Sequence, residues 1–459
     1  MSTVYTFQTF QQEQAAGRQA EFVRSFVQQH CSSAPYKEAA SADLYDANRN
    51  PGAEDFSRAY AQMLQRLSKN TRQNVPRPDM VKSNLFRRLN KQRATYSLGN
   101  GVTFSDDGVD KNRLGQDFDE QVQKAGYFSL IHGESFGFWN NDHLVVFKLT
   151  EFAPLYDEKT GLLQAGVRFW RLNPDTDMHY ILYEVDGYTE YTETRIGSVM
   201  QETTPKQAYK SVTVTTPGGG LESVEGQNYS SLPIVPLWGS DLHQSTLVGL
   251  KAYIDNTDLV MSGFCNDLQD CAQIYWLCEN FNGMTDDELQ EFLMKLNLYH
   301  IAGADTSENG KVTPYTNEIP VTARQTLLEL LHNRVYEDFG GLDVHCVSAD
   351  STNDHLDAAY EPLNHNADDF EAQLKPFIRQ ICALAGFENA MPTFNRSKIV
   401  NTSEQVNMVI SEAPIIGQDM AIDLLPNLTP EQKEQAKAAM MAESATRETV
   451  DEDEDETDE

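Results

Sequence analysis

The stretch DLHQSTLVGLKAYIDNTDLVMSGFCNDLQDCAQIYWLCEN, residues 241–280, decides the fold. Its apolar residues recur at steps of three, four or seven, which is the period of one helix face. Ser240 and Asp241 can cap the start, and Asn282-Gly283 marks the end. The pattern predicts one helix of roughly ten turns over residues 241–280. Its apolar positions are Leu247, Leu250, Ile254, Met261, Phe264, Leu268, Cys271, Tyr275 and Cys278.

The apolar stripe of this helix is narrow for its length. Such a helix suits an element that packs side by side with copies of itself, as in a seam between identical helices. The alternative is a single long helix that crosses one large domain. On the first interpretation, the oligomerisation seam consists of Ile254, Met261, Phe264, Leu268 and Tyr275.

The charge of the chain limits its partners. The 459 residues carry 69 acidic and 36 basic side chains, a net charge of −33. Without the acidic run of residues 451–459, about −25 remains, so the body of the protein is acidic as well. Such a surface does not hold nucleic acid by neutralising phosphates. It repels DNA, which is useful where DNA must slide past, although acidity also serves solubility alone.

Cysteine usage and hydropathy indicate a cytosolic site of folding. The six cysteines form no CxxC pair, and two of them, Cys271 and Cys278, lie on the apolar stripe. We therefore expect reduced, structural thiols. The N-terminus shows no signal-peptide pattern, and no run approaches eighteen apolar residues, so no membrane span is expected.

Before the long helix, the chain is first helical and then β-rich. Residues 1–50 are polar and partly helical, and helices are expected over residues 53–67 and 80–96. The last of these is basic, and we expect its cations to pair with carboxylates of the same or an adjacent subunit rather than with DNA. Strands are predicted between residues 136 and 238, with a flexible Gly-rich connector over 215–226. The basic side chains are Lys82, Arg87, Arg88, Lys91 and Arg93.

After the long helix, the pattern predicts a small α/β insert and then more helices. The insert has a helix over residues 284–298 and strands over 298–301 and 312–319. A helix over 322–336 follows, and a mobile loop over 339–354. A long helix over 355–385 contains Pro362 and Pro376 and is predicted to be kinked. Shorter helices over 404–411 and 429–443 precede a disordered acidic tail. The helix over 322–336 is expected to turn Leu327, Leu328, Leu331 and Val335 inward.

No catalytic motif is apparent. The chain has no HExxH, GxSxG, P-loop or zinc-ligand spacing. His132-Gly133-Glu134-Ser135 is more simply a turn than a hydrolase site, and Asp350, Asp354 and Asp357 are more simply solvated acids than cation ligands. We therefore expect neither an enzyme nor a bound cofactor or metal. A metal-dependent DNA-processing enzyme and a scaffolding-type assembly protein are the competing interpretations.

Three segments of the chain form recognisable motifs. YSLGNGVTF over residues 96–104 has the form Y-x-x-G-x-x-V-T-F. YIDN over 253–256, with Ser262 and Asn266, has the form of an I/L-D helix that continues into an apolar run. TFNRSKIVNTSE over 393–404 is close to F-x-R-x-x-I-x-N-D-x-E. In this order, the three segments resemble the portal proteins of tailed bacteriophages that carry a C-terminal acidic tail.

The resemblance implies an α+β portal fold and a division of the chain. Residues 1–240 form a mixed α/β wing, to which the kinked helix and return over 355–400 contribute. Residues 241–280 and 320–338 are long stem helices, and 281–319 is a small α/β clip. Residues 339–354 are the tunnel loop, 401–443 a helical crown, and 444–459 the disordered acidic tail.

The resemblance also implies the function, the partners and the sites. It implies a ring, typically of twelve subunits, at one capsid vertex of the virion, assembled in the host cytoplasm. Double-stranded DNA would pass through it, and the partners would be terminase, a head–tail adaptor, and the major capsid and scaffolding proteins. The tunnel-loop contacts would be Val347, Ser348, Asp350, Ser351, Thr352 and Asn353. The clip contacts would be Asp286, Asp287, Glu288, Glu308 and Asn309.

Overall fold

The computed structural model divides the chain into two compact units. Unit 1 comprises residues 1–40, 89–246 and 340–459, and unit 2 comprises residues 41–88 and 247–339. Both helices and sheets are present, so the predicted α+β class is confirmed. The residues described are 5–52, 80–105, 108–194, 199–215, 221–271, 275–279, 311–315, 320–343, 352–398, 402–425 and 432–440, and the single positions 54, 58, 287 and 429.

The helices of the described residues vary in length from two to nine turns. A 3-10 turn spans Lys111–Leu114, and residues 432–440 are helical as well. The helices are α1 Phe7–Ala15, α2 Gln19–Ser32, α3 Ala34–Asp46, α4 Leu85–Leu98, α5 Phe118–His132, α6 Leu247–Cys271, α7 Val321–Phe339, α8 Asn353–Leu384, α9 Thr402–Ile416 and α10 Gln418–Leu424.

The strands form small antiparallel sheets. In the order of their neighbours, these sheets are β4-β5-β6-β7-β8, β11-β2-β3, β9-β10, β12-β13 and β1-β14. The strands are β1 Val102–Phe104, β2 Glu134–Asn140, β3 His143–Lys148, β4 Phe152–Tyr156, β5 Leu163–Trp170, β6 Met178–Glu184, β7 Gly187–Glu193, β8 Gln201–Gln207, β9 Lys210–Thr215, β10 Leu221–Gln227, β11 Ile234–Trp238, β12 Tyr275–Glu279, β13 Lys311–Tyr315 and β14 Pro392–Phe394.

In the five-stranded sheet of unit 1, strands β4 to β7 contribute side chains to cores on both faces, whereas β8 is largely exposed. Alternate residues of a strand point to opposite faces of the sheet, so one strand can contribute side chains to a core on each face. One face packs under α1 and α2, where Phe22 and Phe26 meet Val167 and Leu182. The other face contributes Phe152 and Tyr183 to a second core with Phe136 and Phe147 of the three-stranded sheet.

The third core of unit 1 lies between α5, the three-stranded sheet and α8. Its centre combines Phe118 and Val122 of α5 with Trp139 of β2 and Phe370 and Phe377 of α8. The apolar residues of α8 recur at helical spacing, which fixes this face inward. Pro362 and Pro376 lie inside α8, as predicted, and both are exposed. The kink itself stays a prediction.

Unit 2 contains the antiparallel neighbours α6 and α7 and the antiparallel strand pair β12–β13. The predicted helix of residues 241–280 is wrong at both ends, because α6 begins at Leu247 and stops at Cys271, and Tyr275 begins β12. The run Ile274-Tyr275-Trp276-Leu277 is rich in residues that favour strands, and this overrides the helical spacing. Cα pairing of Tyr275 with Tyr315 sets the register of β12 on β13. The expected strand of residues 298–301 lies outside the described residues.

Two further expectations are corrected by the fold. Residues 215–226 are not simply a flexible connector, because β9 and β10 pair there from Lys210 opposite Gln227 to Thr215 opposite Leu221. The helix over residues 404–411 is longer than predicted, since α9 spans Thr402–Ile416 and contains Pro414. Among the helices described, none is long and apolar enough to cross a membrane.

Candidate assembly and channel surfaces

Helix α6 buries one side completely. Leu247, Leu250, Ile254, Asp258 and Ser262 are each less than 5% exposed and follow one another at steps of three and four. These steps place all five on one face. The first three are apolar, whereas the last two are polar and need hydrogen-bond partners because they are buried.

Those partners come from residues 45–83, about 200 positions earlier in the chain. Asn50 Nδ2 donates to Asp258 Oδ2 over 2.6 Å, and the Ser83 backbone N–H donates to Asp258 Oδ1 over 2.8 Å. The Val81 backbone N–H donates to Ser262 Oγ over 2.9 Å. We call Asp255, Asp258 and Ser262 the polar anchor, because they fasten the earlier segment to α6.

Asp255 completes the polar anchor one turn before Asp258. The Tyr45 hydroxyl donates to its carboxylate, and Lys251 pairs with the same carboxylate over 2.5 Å. Burial, together with the hydrogen bond and charge of Asp255, raises the pKa of Tyr45 far above its ordinary value. Gly52 approaches this carboxylate so closely that a Cβ would lie 2.3 Å from it. The sequence signal for the anchor was only the spacing of polar residues on α6.

The five residues of the predicted oligomerisation seam differ in burial and in secondary structure. Ile254 is fully buried within the subunit, and Met261 and Phe264 are partly buried. Leu268 is 50% exposed, and Tyr275 belongs to β12 rather than to the helix. Exposure therefore rises along the stripe, and Met261, Phe264 and Leu268 lie in the second half of α6, where the apolar positions are less buried than Ile254.

Two polar contacts hold α7 against α6. The Arg324 guanidinium pairs with Asp267 and lies 5.7 Å over the ring of Phe264. Near the other end of α7, a hydrogen bond from the Tyr253 hydroxyl to Asp338 raises the pKa of Tyr253. Contacts at both ends fix the helices against sliding past each other.

Helix α7 presents three different faces. The buried face carries Val335, Tyr336 and Phe339, with Leu328 and Leu331 half-buried. Leu327 is 42% exposed, so the expectation that it turns inward is wrong. At 100° per residue, Leu327 lies about 80° around the helix from Val335, and it belongs to a separate stripe. We call Ala323, Leu327 and Leu330 the exposed apolar stripe, and Arg334 continues the same row of residues.

The third face of α7 is polar and free of cations. Its members recur at steps of four and three and are all exposed. On the helix surface, this polar stripe lies beside the exposed apolar stripe, about 90° away. The residues of the polar stripe are Thr322, Thr326, Glu329, Asn333 and Glu337.

Most predicted tunnel-loop and clip residues lie outside the described part of the chain. These are Val347, Ser348, Asp350 and Ser351 of the loop, and Asp286, Glu288, Glu308 and Asn309 of the clip. Asp287 is helical and exposed. Thr352 and Asn353 are described, and they correct the loop boundary, because Thr352 caps α8 and Asn353 is its first residue. The Thr352 hydroxyl accepts from the His355 backbone N–H over 3.4 Å.

The basic helix α4 finds its partners within the subunit, but only in part as carboxylates. Arg87 pairs with Asp46 over 3.2 Å, as expected. Arg88 instead donates to the Tyr336 hydroxyl and lies 5.6 Å over its ring. Arg93 is 7% exposed and donates to the Asn366 carbonyl over 3.1 Å. Burial lowers the pKa of Arg93 to about 10, against the raising effect of Asp369.

The first and third segments of the family resemblance come together in unit 1. β1 pairs with β14, placing Val102 opposite Phe394. The Arg396 guanidinium donates two hydrogen bonds, of 2.9 and 3.0 Å, to the Glu371 carboxylate and also pairs with Asp368. Such bidentate bonds between a guanidinium and a carboxylate are among the stronger polar contacts in proteins. The hydrogen bonds with Glu371 and Asp368 raise the pKa of Arg396.

The segment His132-Gly133-Glu134-Ser135 is a turn, as expected, rather than a nucleophile elbow. Gly133 ends α5 in the left-handed region with φ of 86°, and Glu134 begins β2. The Glu134 carboxylate accepts from the Tyr156 hydroxyl and from Trp238. Burial raises the pKa of Glu134 to about 7, in spite of these two hydrogen bonds.

The described acids that were considered as cation ligands do not form a cluster. Asp357 lies 3.3 Å from Lys398, and Asp354 occupies the first turn of α8. Asp350 is outside the described ranges. Where side chains are described, no three His, Cys, Asp or Glu residues converge as a metal site would require.

Helix α7 carries an exposed apolar stripe, and a buried polar anchor fastens α6 to the earlier segment of residues 45–83. The sequence matches the family described as phage portal protein, SPP1 Gp6-like, over residues 45–448. The chain therefore belongs to the phage portal protein family, and it is a component of the phage capsid.

Two individual proteins are similar over parts of the chain. A portal protein of Clostridium phage phiCD119 is 36% identical over 138 residues, which cover 29% of this chain and 30% of that relative's length. A chain from the neck of an empty GTA particle computed with C6 symmetry superimposes with a TM-score of 0.42 and 10% identity. That superposition covers 73% of this chain and 87% of the other.

Proposed function

We propose that this protein forms a ring at one capsid vertex, with a channel through which double-stranded DNA enters and leaves. The ring is expected to contain about twelve subunits. The observation that carries the proposal is the pairing of two exposed stripes on α7, one apolar and one polar without cations. In a ring, the apolar stripe can contact the next subunit while the polar stripe faces the central axis.

The apolar stripe supplies the contact between subunits. Leu327 and Leu330 are 42% and 52% exposed, respectively, and Leu268 of α6 is 50% exposed. Covering such side chains contributes about 1 kcal/mol each, repeated at every interface of the ring. In this arrangement α6 and α7 are the stem helices.

The polar stripe of α7 supplies the channel wall. Glu329 and Glu337 repeat around the ring, so they repel phosphates and let DNA pass without tight binding. Arg334 lies beside this stripe and is paired with Glu337 over 2.9 Å, which reduces its attraction for DNA. The tunnel loop around Val347, Ser348, Asp350 and Ser351 forms the narrowest contact with DNA.

The remaining parts of the chain serve docking. Residues 281–319 act as the clip, where Asp286, Asp287, Glu288, Glu308 and Asn309 meet the terminase motor and later the head–tail adaptor. Residues 401–443 act as the crown, and the wing meets major capsid and scaffolding proteins. In support, α9 and α10 carry uncovered apolar side chains, among them Met408, Ile410 and Ile415.

Ring formation is tested with matched substitutions on α7. Leu327→Asp together with Leu330→Asp places charges on the apolar stripe, and Thr322→Asp together with Thr326→Asp places the same charges on the polar stripe. The wild type and the threonine variant should give rings with a duplex-wide hole by electron microscopy. The leucine variant should stay monomeric by light scattering, with unchanged circular dichroism. Rings from the leucine variant, or no ring from the wild type, would refute the proposal.

The channel assignment is tested by charge reversal. Glu329→Lys with Asn333→Lys places two cations per subunit on the polar stripe. Rings of this variant should retain duplex DNA in the channel, with an affinity that falls steeply as salt rises. Glu361→Lys with Glu388→Lys, two exposed acids of unit 1, is the control for a general loss of acidity. Equal DNA retention by both variants would contradict the assignment.

A further inference from the structure

Unit 1 contains a cleft of about 650 Å³ that no part of the portal function above uses. Strand β11 forms its floor. One wall is α8, with Gln373, Phe377 and Gln380, and the other is the end of the β4–β5 hairpin, with Tyr156 and Leu163. The cleft is therefore a slot between a helix and a hairpin.

The floor of the slot is the free edge of β11. Within the described residues β11 pairs with β2 alone and lies at the edge of its sheet. The Trp139 backbone N–H donates to the Pro233 carbonyl over 2.8 Å, and the Gly239 N–H donates to the Gly133 carbonyl over 3.1 Å. Since hydrogen-bonded pairs alternate along an antiparallel ladder, the backbone groups of Ile234, Pro236 and Trp238 point away from β2.

These outward backbone groups call for a strand as their partner. They comprise three carbonyls and two N–H groups, since Pro236 has no N–H. An open strand edge is a template for pairing with another chain, and an added strand can satisfy its backbone groups. In such a strand, successive side chains would point in turn to the α8 wall and to the hairpin wall.

The lining of the slot disfavours an occupant with charged side chains. The protein carries a net charge of −33, yet none of the residues that line the slot is charged. Burying a charged side chain there would cost several kcal/mol without a partner. The occupant is therefore an extended, uncharged segment.

Strand β9 is a segment of this kind. Residues 211–215, Ser-Val-Thr-Val-Thr, alternate between valine and small hydroxyl residues and carry no charge. Among the described strands, β9 pairs with β10 alone. An isolated two-stranded hairpin is marginally stable in water, so a third strand would stabilise it. The uncharged part of β9, residues 211–215, has five residues, the same number as β11.

The hairpin is fastened only at its base in the contacts described. The Tyr209 hydroxyl donates to the carbonyls of Glu184 and Gly187 over 2.6 and 3.1 Å. Asn228 Nδ2 donates to the Asp186 carbonyl over 2.8 Å. These bonds tie both ends of the hairpin to the turn between β6 and β7 and leave the outer edge of β9 for another chain.

We propose that β9 of one subunit inserts into the slot of the neighbouring subunit and pairs with the free edge of β11. This inference rests on the proposed ring, because the ring brings a second copy alongside. The exchange joins the β9–β10 and β11-β2-β3 sheets of adjacent subunits into one sheet. It gives the ring a second contact that is independent of α7.

The test is photocrosslinking in assembled rings. Benzoylphenylalanine is introduced in place of Thr213 or of Val214, and each variant is co-assembled with isotopically heavy wild-type subunits. Heavy–light crosslinks, mapped by mass spectrometry, report contacts between copies. One position should react with residues 373–384 of α8 and the other with residues 156–164 of the β4–β5 hairpin, because neighbouring strand residues face opposite ways.

A blocked slot provides the matched control. Gln380→Trp on α8 fills the slot, whereas Ala372→Trp places the same side chain on an exposed position of α8 that does not line it. The first should reduce the heavy–light crosslinks at least tenfold, and the second should leave them unchanged.

The outcomes separate this inference from the ring itself. Rings that form without crosslinks to the slot, or with crosslinks only inside one copy, would overturn strand exchange and leave the portal function intact. Unchanged crosslinks in Gln380→Trp would overturn it too. If no rings form under any condition, the proposed function fails and the inference fails with it.

Discussion

Asn50 Nδ2 lies 2.6 Å from Asp258 Oδ2, which joins two fully buried side chains 208 positions apart in the sequence. The same carboxylate accepts the backbone N–H of Ser83. A helix that was expected to present only an apolar seam therefore carries a buried polar contact to an earlier segment of its own subunit. This contact fixes the chain just before α4 begins.

Removing the Asp258 carboxylate should loosen residues 80–84. In Asp258→Ala, Asn50 and Ser83 lose their acceptor while still buried, which costs about 1–3 kcal/mol. Hydrogen exchange at the Ser83 amide should accelerate at least tenfold. Asn256→Ala, which loses only a bond to the Ala252 carbonyl on the exposed side of α6, should leave that amide unchanged. Equal protection in wild type and Asp258→Ala would disprove the anchor.

The Arg396 network should contribute more to stability than a surface ion pair. Arg396→Ala leaves Glu371, which is 8% exposed, as an unpaired buried charge, and the expected loss is about 3–5 kcal/mol. Lys398→Ala, which breaks an exposed pair with Asp357, should cost less than about 1 kcal/mol. Denaturant unfolding of the unassembled chain, followed by fluorescence and circular dichroism, measures both. Similar losses for the two variants would contradict the ranking.

Glu134 should make the stability of unit 1 depend on pH. Its folded-state pKa of about 7 lies above the ordinary value of 4.5, so the folded protein binds the proton more tightly than the unfolded chain. The resulting stability is complete below pH 4.5 and is lost as the pH rises through 7. Glu134→Gln, which stays neutral, should lack this decline and exceed the wild type in melting temperature at pH 8.

Measurement of the melting temperature between pH 5 and pH 8 tests this sign. The unassembled chain is used, because assembly has its own pH dependence. Glu158→Gln, an exposed acid in the β4–β5 turn, is the control. A wild type that gains stability relative to Glu134→Gln on going from pH 5 to pH 8 would refute the assignment.

A side chain at Gly133 should destabilise the fold more than a side chain at Gly161. Both have a positive φ, of 86° and 68°, respectively. A Cβ on Gly133 would lie 2.7 Å from the Gln244 backbone, whereas one on Gly161 would meet nothing within 4 Å. Gly161→Ala should cost about 1–2 kcal/mol from its backbone conformation alone. Gly133→Ala should cost about 1–3 kcal/mol more, because the backbone of residues 244–245 must also move.

Thermal unfolding of the two alanine variants compares them directly. The expected order of melting temperatures is wild type, then Gly161→Ala, then Gly133→Ala. The reverse order for the two variants would show that the turn after α5 is less constrained than its contacts indicate.

The sequence by itself determined the α+β class, most of the strands between residues 134 and 238, the helices α6 to α8 and the family. These features depend on local periodicity, turn residues and motif order, all of which can be read along the chain. The sequence pattern did not identify correctly which face of each helix is buried. Leu268 and Leu327 match the apolar period and yet are half-exposed, because the period identifies an apolar residue but not the neighbour that covers it.

The tertiary structure alone decided where the long helix stops, what its buried acids bind, and which edges stay open. Tyr275 leaves the helical pattern because it pairs with Tyr315, 40 positions later. Asp258 is buried because Asn50 and Ser83 arrive from 208 and 175 positions earlier. Such contacts are set by packing in three dimensions, and the spacing of residues along one helix or strand carries no record of them.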